Sequence, residues 1–196
     1  MNARRRFTRD ELERFRDATV PDLVGPGLRL LFVGINPGLW TAATGTHFAH
    51  PGNRFYPALL RAGVIRRAID PAAGMDDDER AHLIELGIGI TNIAARATAR
   101  ASELSRDELR AGAGDLVRRI GTWQPVVVAI AGITAYRVGF DRPRAQNGRQ
   151  AERLGGAELW IVPNPSGLNA HETVTTLAAA YRRVARAAGL DLAGDT

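Results

Sequence analysis

Leu28-Arg-Leu-Leu-Phe-Val-Gly-Ile-Asn-Pro-Gly38 is the stretch on which the fold turns. It is apolar almost throughout instead of alternating, which is how a strand buried on both faces reads. It stops at Asn-Pro-Gly, a turn-forming triplet. Three further runs share this character: Gly87-Ile-Gly-Ile-Thr-Asn92, Pro125-Val-Val-Val-Ala-Ile-Ala131 and Glu158-Leu-Trp-Ile-Val162, the last stopped by Pro163-Asn-Pro165. Helical patterns lie around them, over 8–17, 53–62, 105–120, 135–138 and 171–188, with one more opening at the acidic Met75-Asp-Asp-Asp-Glu-Arg80. Thr8-Arg-Asp-Glu11 and Ser105-Arg-Asp-Glu108 are capping boxes that mark two of the helix starts. Strands alternating with helices predict an α/β fold, a three-layer α/β/α sandwich around a short central, mainly parallel sheet. The expected organisation is a charged extension over 1–20, one domain over 21–190 and a short tail over 191–196, with no repeat or long linker. Ligands of such folds sit beyond the carboxyl ends of the strands. That places the chemistry at Asn36-Pro-Gly38, near Asn92, at Gly132-Ile-Thr134 and at Asn164-Pro-Ser-Gly-Leu-Asn169.

Composition narrows the classes. The 196 residues are 45% apolar and contain no Cys, so disulfides, thiolate metal sites and cysteine nucleophiles are excluded. The four histidines (His47, His50, His82, His171) are not spaced as metal ligands, and no metal or cofactor is expected. All 26 basic residues are Arg, so lysine chemistry is excluded too, from the P-loop to the internal Schiff base. The net charge of +5 suits a polyanionic partner, although Arg without Lys beside abundant Ala and Gly equally reads as codon usage. No run approaches the ~18 apolar residues of a membrane span. Arg4, Arg5 and Arg6 are followed by more charge, not by the apolar stretch of a signal peptide, and could touch phosphate or form a solvated tail. The expected location is the cytoplasm, on the nucleoid if the source is bacterial, with no membrane partner and a monomeric state.

Each candidate loop has a plain reading beside a functional one. Gly34-Ile-Asn-Pro-Gly38 is either a simple turn or a strand tip that presents the Asn36 carboxamide; it lacks the dinucleotide fingerprint. Thr44-Gly-Thr-His-Phe-Ala-His-Pro-Gly-Asn-Arg-Phe55 carries two aromatics and two histidines. Phe48 either stacks on a base or packs in the core, whereas Phe55 reads as core and Asn53 as a helix N-cap. His47 and His50 are either acid–base groups or makers of structural hydrogen bonds. In Asn164-Pro-Ser-Gly-Leu-Asn169, Leu168 is either an apolar tip for insertion between bases or a staple beside an Asn169 N-cap. Ser166 with the following N–H groups could hold phosphate at a helix N-terminus.

Taken together, Gly34-Ile-Asn-Pro-Gly38, Phe48-Ala-His-Pro-Gly-Asn-Arg-Phe55, Gly89-Ile-Thr-Asn92 and Asn164-Pro-Ser-Gly-Leu168 occur in one order at sensible spacings. Over about residues 21–187 the chain resembles the mismatch-specific uracil-DNA glycosylases, the family that includes the thymine-DNA glycosylases. The resemblance implies a monofunctional glycosylase that removes uracil, with thymine and damaged pyrimidines as further candidates, opposite guanine in duplex DNA. It implies that Asn36 orients the hydrolytic water, that Phe48 stacks on the flipped base and that the backbone at Ile35 and Phe48 reads the pyrimidine edge. Leu168 would fill the gap in the helix, with Ser166, Gly167 and Asn169 beside it on the guanine side. Thr41, His47, Asn92 and Asn164 are the further expected substrate-binding residues. The competing class is a non-catalytic mismatch-binding module of the same fold. The chain departs from the family at Ala95 before Arg96, where an acidic residue is usual, at Asn169-Ala170, and at Trp40-Thr41.

Overall fold

The computed structural model describes residues 7–194; Arg4, Arg5 and Arg6 lie outside the described residues. The sheet has five strands: β1 (Leu30–Gly34), β2 (Ile88–Asn92), β3 (Val127–Ala131), β4 (Gly148–Leu154) and β5 (Ala157–Val162). Their order is β2-β1-β3-β5-β4, with four strands parallel and β4 antiparallel to β5. The α-helices are α1 (Arg9–Glu13), α2 (Leu39–Thr44), α3 (Phe55–Arg61), α4 (Asp77–Glu85), α5 (Arg106–Trp123), α6 (Ile133–Gly139) and α7 (Val174–Ala187). This is the predicted α/β sandwich, with the first strand two residues shorter at its start than its apolar run.

Strand β1 shows why an unbroken apolar run means a central strand. Side chains alternate across a sheet. Leu30 and Phe32 therefore enter the core under α3 and α7, while Leu31 and Val33 enter the core under α5 and α6. Every residue of β1 and β3 is buried. The capping boxes predicted at Thr8 and Ser105 form, each with reciprocal bonds, and Asp76 makes a third at the start of α4.

Two elements escape the periodicity. Strand β4 (Gly-Arg-Gln-Ala-Glu-Arg-Leu) is an exposed edge strand rich in charge, the composition that blocks pairing with another chain. The signal available was Gly155-Gly156, a glycine pair at φ 56° and 92° that makes the tight hairpin into β5. Helix α2 hides in what reads as a Gly- and Thr-rich loop. The last helix begins at Val174 with Thr173 as its N-cap, three residues later than expected.

Phe55 is fully buried, with its ring centroid 5.0 Å from Phe32, 5.1 Å from Tyr56, 5.6 Å from Tyr181 and 4.1 Å from Phe48. Phe55→Ala is expected to cost about 3–5 kcal/mol of unfolding free energy, from lost transfer energy plus the cavity left behind. Urea denaturation should show the midpoint falling at unchanged slope.

Candidate active site

Four parallel strands end on one edge of the sheet, so the loops after β1, β2, β3 and β5 are neighbours. The first two continue the pairing past the strands. Thr98 N–H donates to Pro37 O at 3.1 Å, Ala94 N–H to Ile35 O at 2.9 Å, and Gly38 bridges Thr98.

This zipper gives Asn36 its environment. Its Nδ2 donates toward Thr98 Oγ1 at 2.8 Å, Arg96 O at 3.0 Å and Pro37 O at 3.0 Å. Two of these are carbonyls, which only accept. The third is a hydroxyl whose own proton goes to Arg100 O at 2.8 Å, so it too presents a lone pair. A flipped amide would set oxygen against oxygen three times, and the network therefore fixes nitrogen inward and Oδ1 outward. Oδ1 receives no hydrogen bond among the described residues and is open to solvent. The amide is an oriented acceptor.

A second layer holds the acceptors. Asp17 N–H donates to Ala97 O at 2.9 Å and Ala97 N–H to Ala18 O at 2.8 Å, which straps the segment after α1 across the Arg96–Thr98 turn. The Arg96 guanidinium bonds Glu108, Asp17 and Glu103 O. The Arg96 hydrogen bond, helped by the Ser105 N–H, pulls the Glu108 carboxyl down to about 2, so it stays ionised. Ala95 is exposed.

Gly34 opens the next part of the site. A Cβ there would lie 2.4 Å from Asn92 Oδ1 and 3.4 Å from Phe48 Cζ, so its absence lets both approach. His47, 4% exposed, sits behind Asn92 with Nε2 3.0 Å from Pro21 O and Nδ1 3.2 Å from Asn92 Nδ2. Burial, opposed by the bond to Pro21, holds its pKa below the ordinary histidine value. Neutral His47 must place its proton on Nε2 to meet the carbonyl, which leaves Nδ1 to accept from Asn92. Asn92 is thereby oriented with nitrogen toward His47 and Oδ1 toward Gly34. His47 is a positioning group behind the edge and does not line it.

Phe48 has φ 56°, a left-handed backbone that costs a non-glycine residue about 1–3 kcal/mol and persists only where surroundings enforce it. Its ring stacks on Phe55 at 4.1 Å and 24° and stays partly exposed. Its N–H has no acceptor among the described residues. Thr41 is buried, and its hydroxyl accepts from Ala49 N–H at 3.4 Å, so it braces the Phe48 loop. Trp40 meets Phe7 edge-on at 5.2 Å and lies 6.1 Å from the exposed His50. His50 accepts from Gly52 N–H at 3.1 Å. Asn53 is not the N-cap of α3, which is Arg54, but its Oδ1 accepts from Phe55 N–H at 2.9 Å.

Asn164 closes the edge. Its Nδ2 lies 3.6 Å from where a Gly132 Cβ would stand, beside Ile35, which is 3.2 Å from the same point. Its Oδ1 accepts from Ser166 N–H at 2.9 Å and its carbonyl accepts from Asn169 Nδ2 at 3.1 Å. Asn169 is therefore not a helix cap. Leu168 is 87% exposed and is no staple. Ser166 Oγ accepts from Leu168 N–H at 3.3 Å, and α7 starts eight residues on, so the loop is not a helix N-terminus. Arg54, which no local pattern singles out, donates to Ser166 O at 2.6 Å and Asn169 O at 2.7 Å and also bonds Glu172 O.

A family model described as the uracil DNA glycosylase superfamily matches residues 21–186. The chain belongs to that superfamily. Its reaction class is hydrolysis of a base–sugar bond in DNA. Among solved structures, the chain is similar to a putative uracil DNA glycosylase from Methanosarcina acetivorans, with TM-score 0.57 and 16% identity over 85% of this chain and 96% of that one. That likeness supports the fold. Among the described residues no cluster could hold a metal ion and no helix is long and apolar enough to cross a membrane. A shallow cleft of about 400 Å³, lined by Arg66, Arg67, Asp78, Ala81, His82 and Glu85, shares no residue with the superfamily edge described above.

His47 titrates with a sign that can be checked. Because its folded pKa is lowered, its contribution to stability is full above the unfolded value of about 6.5 and is lost as pH falls. The stability gap between wild type and His47→Gln is expected to narrow from pH 7.5 to pH 5. Melting midpoints of both proteins across that range check it; parallel curves would refute the lowered pKa of the buried imidazole.

Proposed function

We propose that the protein is a monofunctional DNA glycosylase that hydrolyses the glycosidic bond of uracil mispaired with guanine in duplex DNA, with thymine and damaged pyrimidines as lesser substrates. The observation that carries this reading is the Asn36 carboxamide, whose nitrogen is held by three acceptors while Oδ1 stands free.

The target nucleotide is flipped from the stack, at a cost of about a few kcal/mol that a wobble pair lowers. Leu168 enters the gap and offsets lost stacking, flanked by Ser166, Gly167 and Asn169 on the guanine side. The extruded pyrimidine stacks on the free side of Phe48. Asn92 Oδ1 accepts from the pyrimidine N3–H, which uracil and thymine carry and cytosine lacks. The backbone at Ile35 and the unpaired Phe48 N–H bond the carbonyl oxygens of the pyrimidine. As the bond from C1′ to the base breaks, its electron pair leaves with the base, and these donors stabilise that anion. Water held by Asn36 Oδ1 adds to C1′ and releases a proton to solvent, leaving an abasic site and a free base. A carboxamide cannot take that proton as a strong base, so turnover is slow. With no lysine in the chain, no internal side-chain amine attacks C1′, and the strand stays intact.

Release of free uracil from a G·U duplex tests the reading. Asn36→Ala is expected to lower the single-turnover rate by about a hundredfold or more, in the range of other oriented polar groups. Asn36→Asp is expected to be slow as well, because a carboxylate oxygen would replace the donor that faces the carbonyls of Pro37 and Arg96. Tight, salt-dependent G·U binding by wild type without release would instead identify a mismatch-binding module.

A further inference from the structure

We infer that Arg54 is a positioning residue for the Leu168 finger, a role that rests on the glycosylase reading but is separate from its chemistry. An exposed apolar tip gains nothing from standing in water, so something must hold it there. Within the finger, four carbonyls turn inward toward the N-terminus of α3. Pro165 O accepts from Arg54 N–H at 3.0 Å. Ser166 O and Asn169 O accept from one guanidinium nitrogen at 2.6 Å and 2.7 Å, and Glu172 O from the other.

These carbonyls come from both flanks of Leu168. Turned inward without a donor, each would carry a desolvation penalty. Only arginine presents several donors in one rigid plane, and here it does so with no carboxylate competing for it in this set of bonds. Its Nε is buried, so this end of the side chain is enclosed within the protein. Gly167 supplies the contact: a Cβ there would lie 2.7 Å from Gly52 O, so the 50–54 turn backs the finger directly.

The finger is thus ordered before DNA arrives, which removes the cost of ordering it on binding. Arg54 also immediately precedes Phe55, the ring under Phe48. One turn of chain therefore supports both the finger that fills the gap and the ring that receives the base.

Hydrogen exchange and single-turnover kinetics on the full chain test this together. In Arg54→Ala, amides over 166–170 are expected to exchange about tenfold faster while the core of α7 is unaltered. Uracil release from a G·U duplex should fall about tenfold, and in a Leu168→Ala background the same change should cost less than about threefold, because both act through one element. Arg54→Lys, which keeps the charge and the stem but not the fork, should lie between and serves if the alanine variant does not fold. Unchanged exchange over 166–170, or losses that multiply fully in the double variant, would overturn the clamp. Wild type that releases no uracil would overturn the glycosylase reading instead, and the exchange measurement would still decide whether Arg54 orders the finger.

Discussion

Three acceptors around one amide nitrogen are the constraint on which the active edge depends. Asn36 has two N–H bonds to give and meets two carbonyls and a hydroxyl oxygen, so its nitrogen cannot turn away without leaving buried acceptors unmet. The rest of the neighbourhood holds those acceptors still. Strands β1 and β2 lie side by side, their loops stay paired beyond the last strand residue, and the segment after α1 ties down the Arg96–Thr98 turn from outside. A single acceptor oxygen facing solvent is what this layered arrangement delivers.

The same logic recurs at Asn92. There the orienting partner is a buried histidine, and the tautomer that faces Pro21 O dictates which end of the Asn92 amide looks into the site. Two asparagines, one just past the tip of β1 and one at the tip of the adjacent β2, are thus aimed by directional hydrogen bonds to their neighbours. On the proposed reading, activity at this site is sensitive to residues behind the two asparagines, including Thr98, His47 and the carbonyl of Arg96.

Across the edge, the aromatic stack and the finger share one support. Phe48 carries a left-handed backbone, Phe55 lies beneath it, and Arg54 gathers the carbonyls of the finger. On the proposed reading, rigidity on this side has a physical purpose. Ordering a loop and extruding a nucleotide both cost free energy, and doing the first during folding leaves only the second for binding.

Local patterning by itself determined the parallel core, three of the helix starts and the positions of the strand tips. It could do so because burial on two faces demands unbroken apolar runs and because capping boxes are encoded within four residues. It also brought Asn36, Phe48, Asn92 and Leu168 forward as candidates, since strand ends and turn-forming triplets are visible locally. It missed β4, whose polar edge lacks the apolar signature, and it did not show that Thr41 and His47 are buried behind the loops. Only the tertiary structure decided which way the amides of Asn36 and Asn92 face, that Leu168 stands free and that Arg54 holds its loop. Those outcomes rest on directional hydrogen bonds between residues as far apart as Arg54 and Asn169, and no pattern confined to one segment of chain carries that direction.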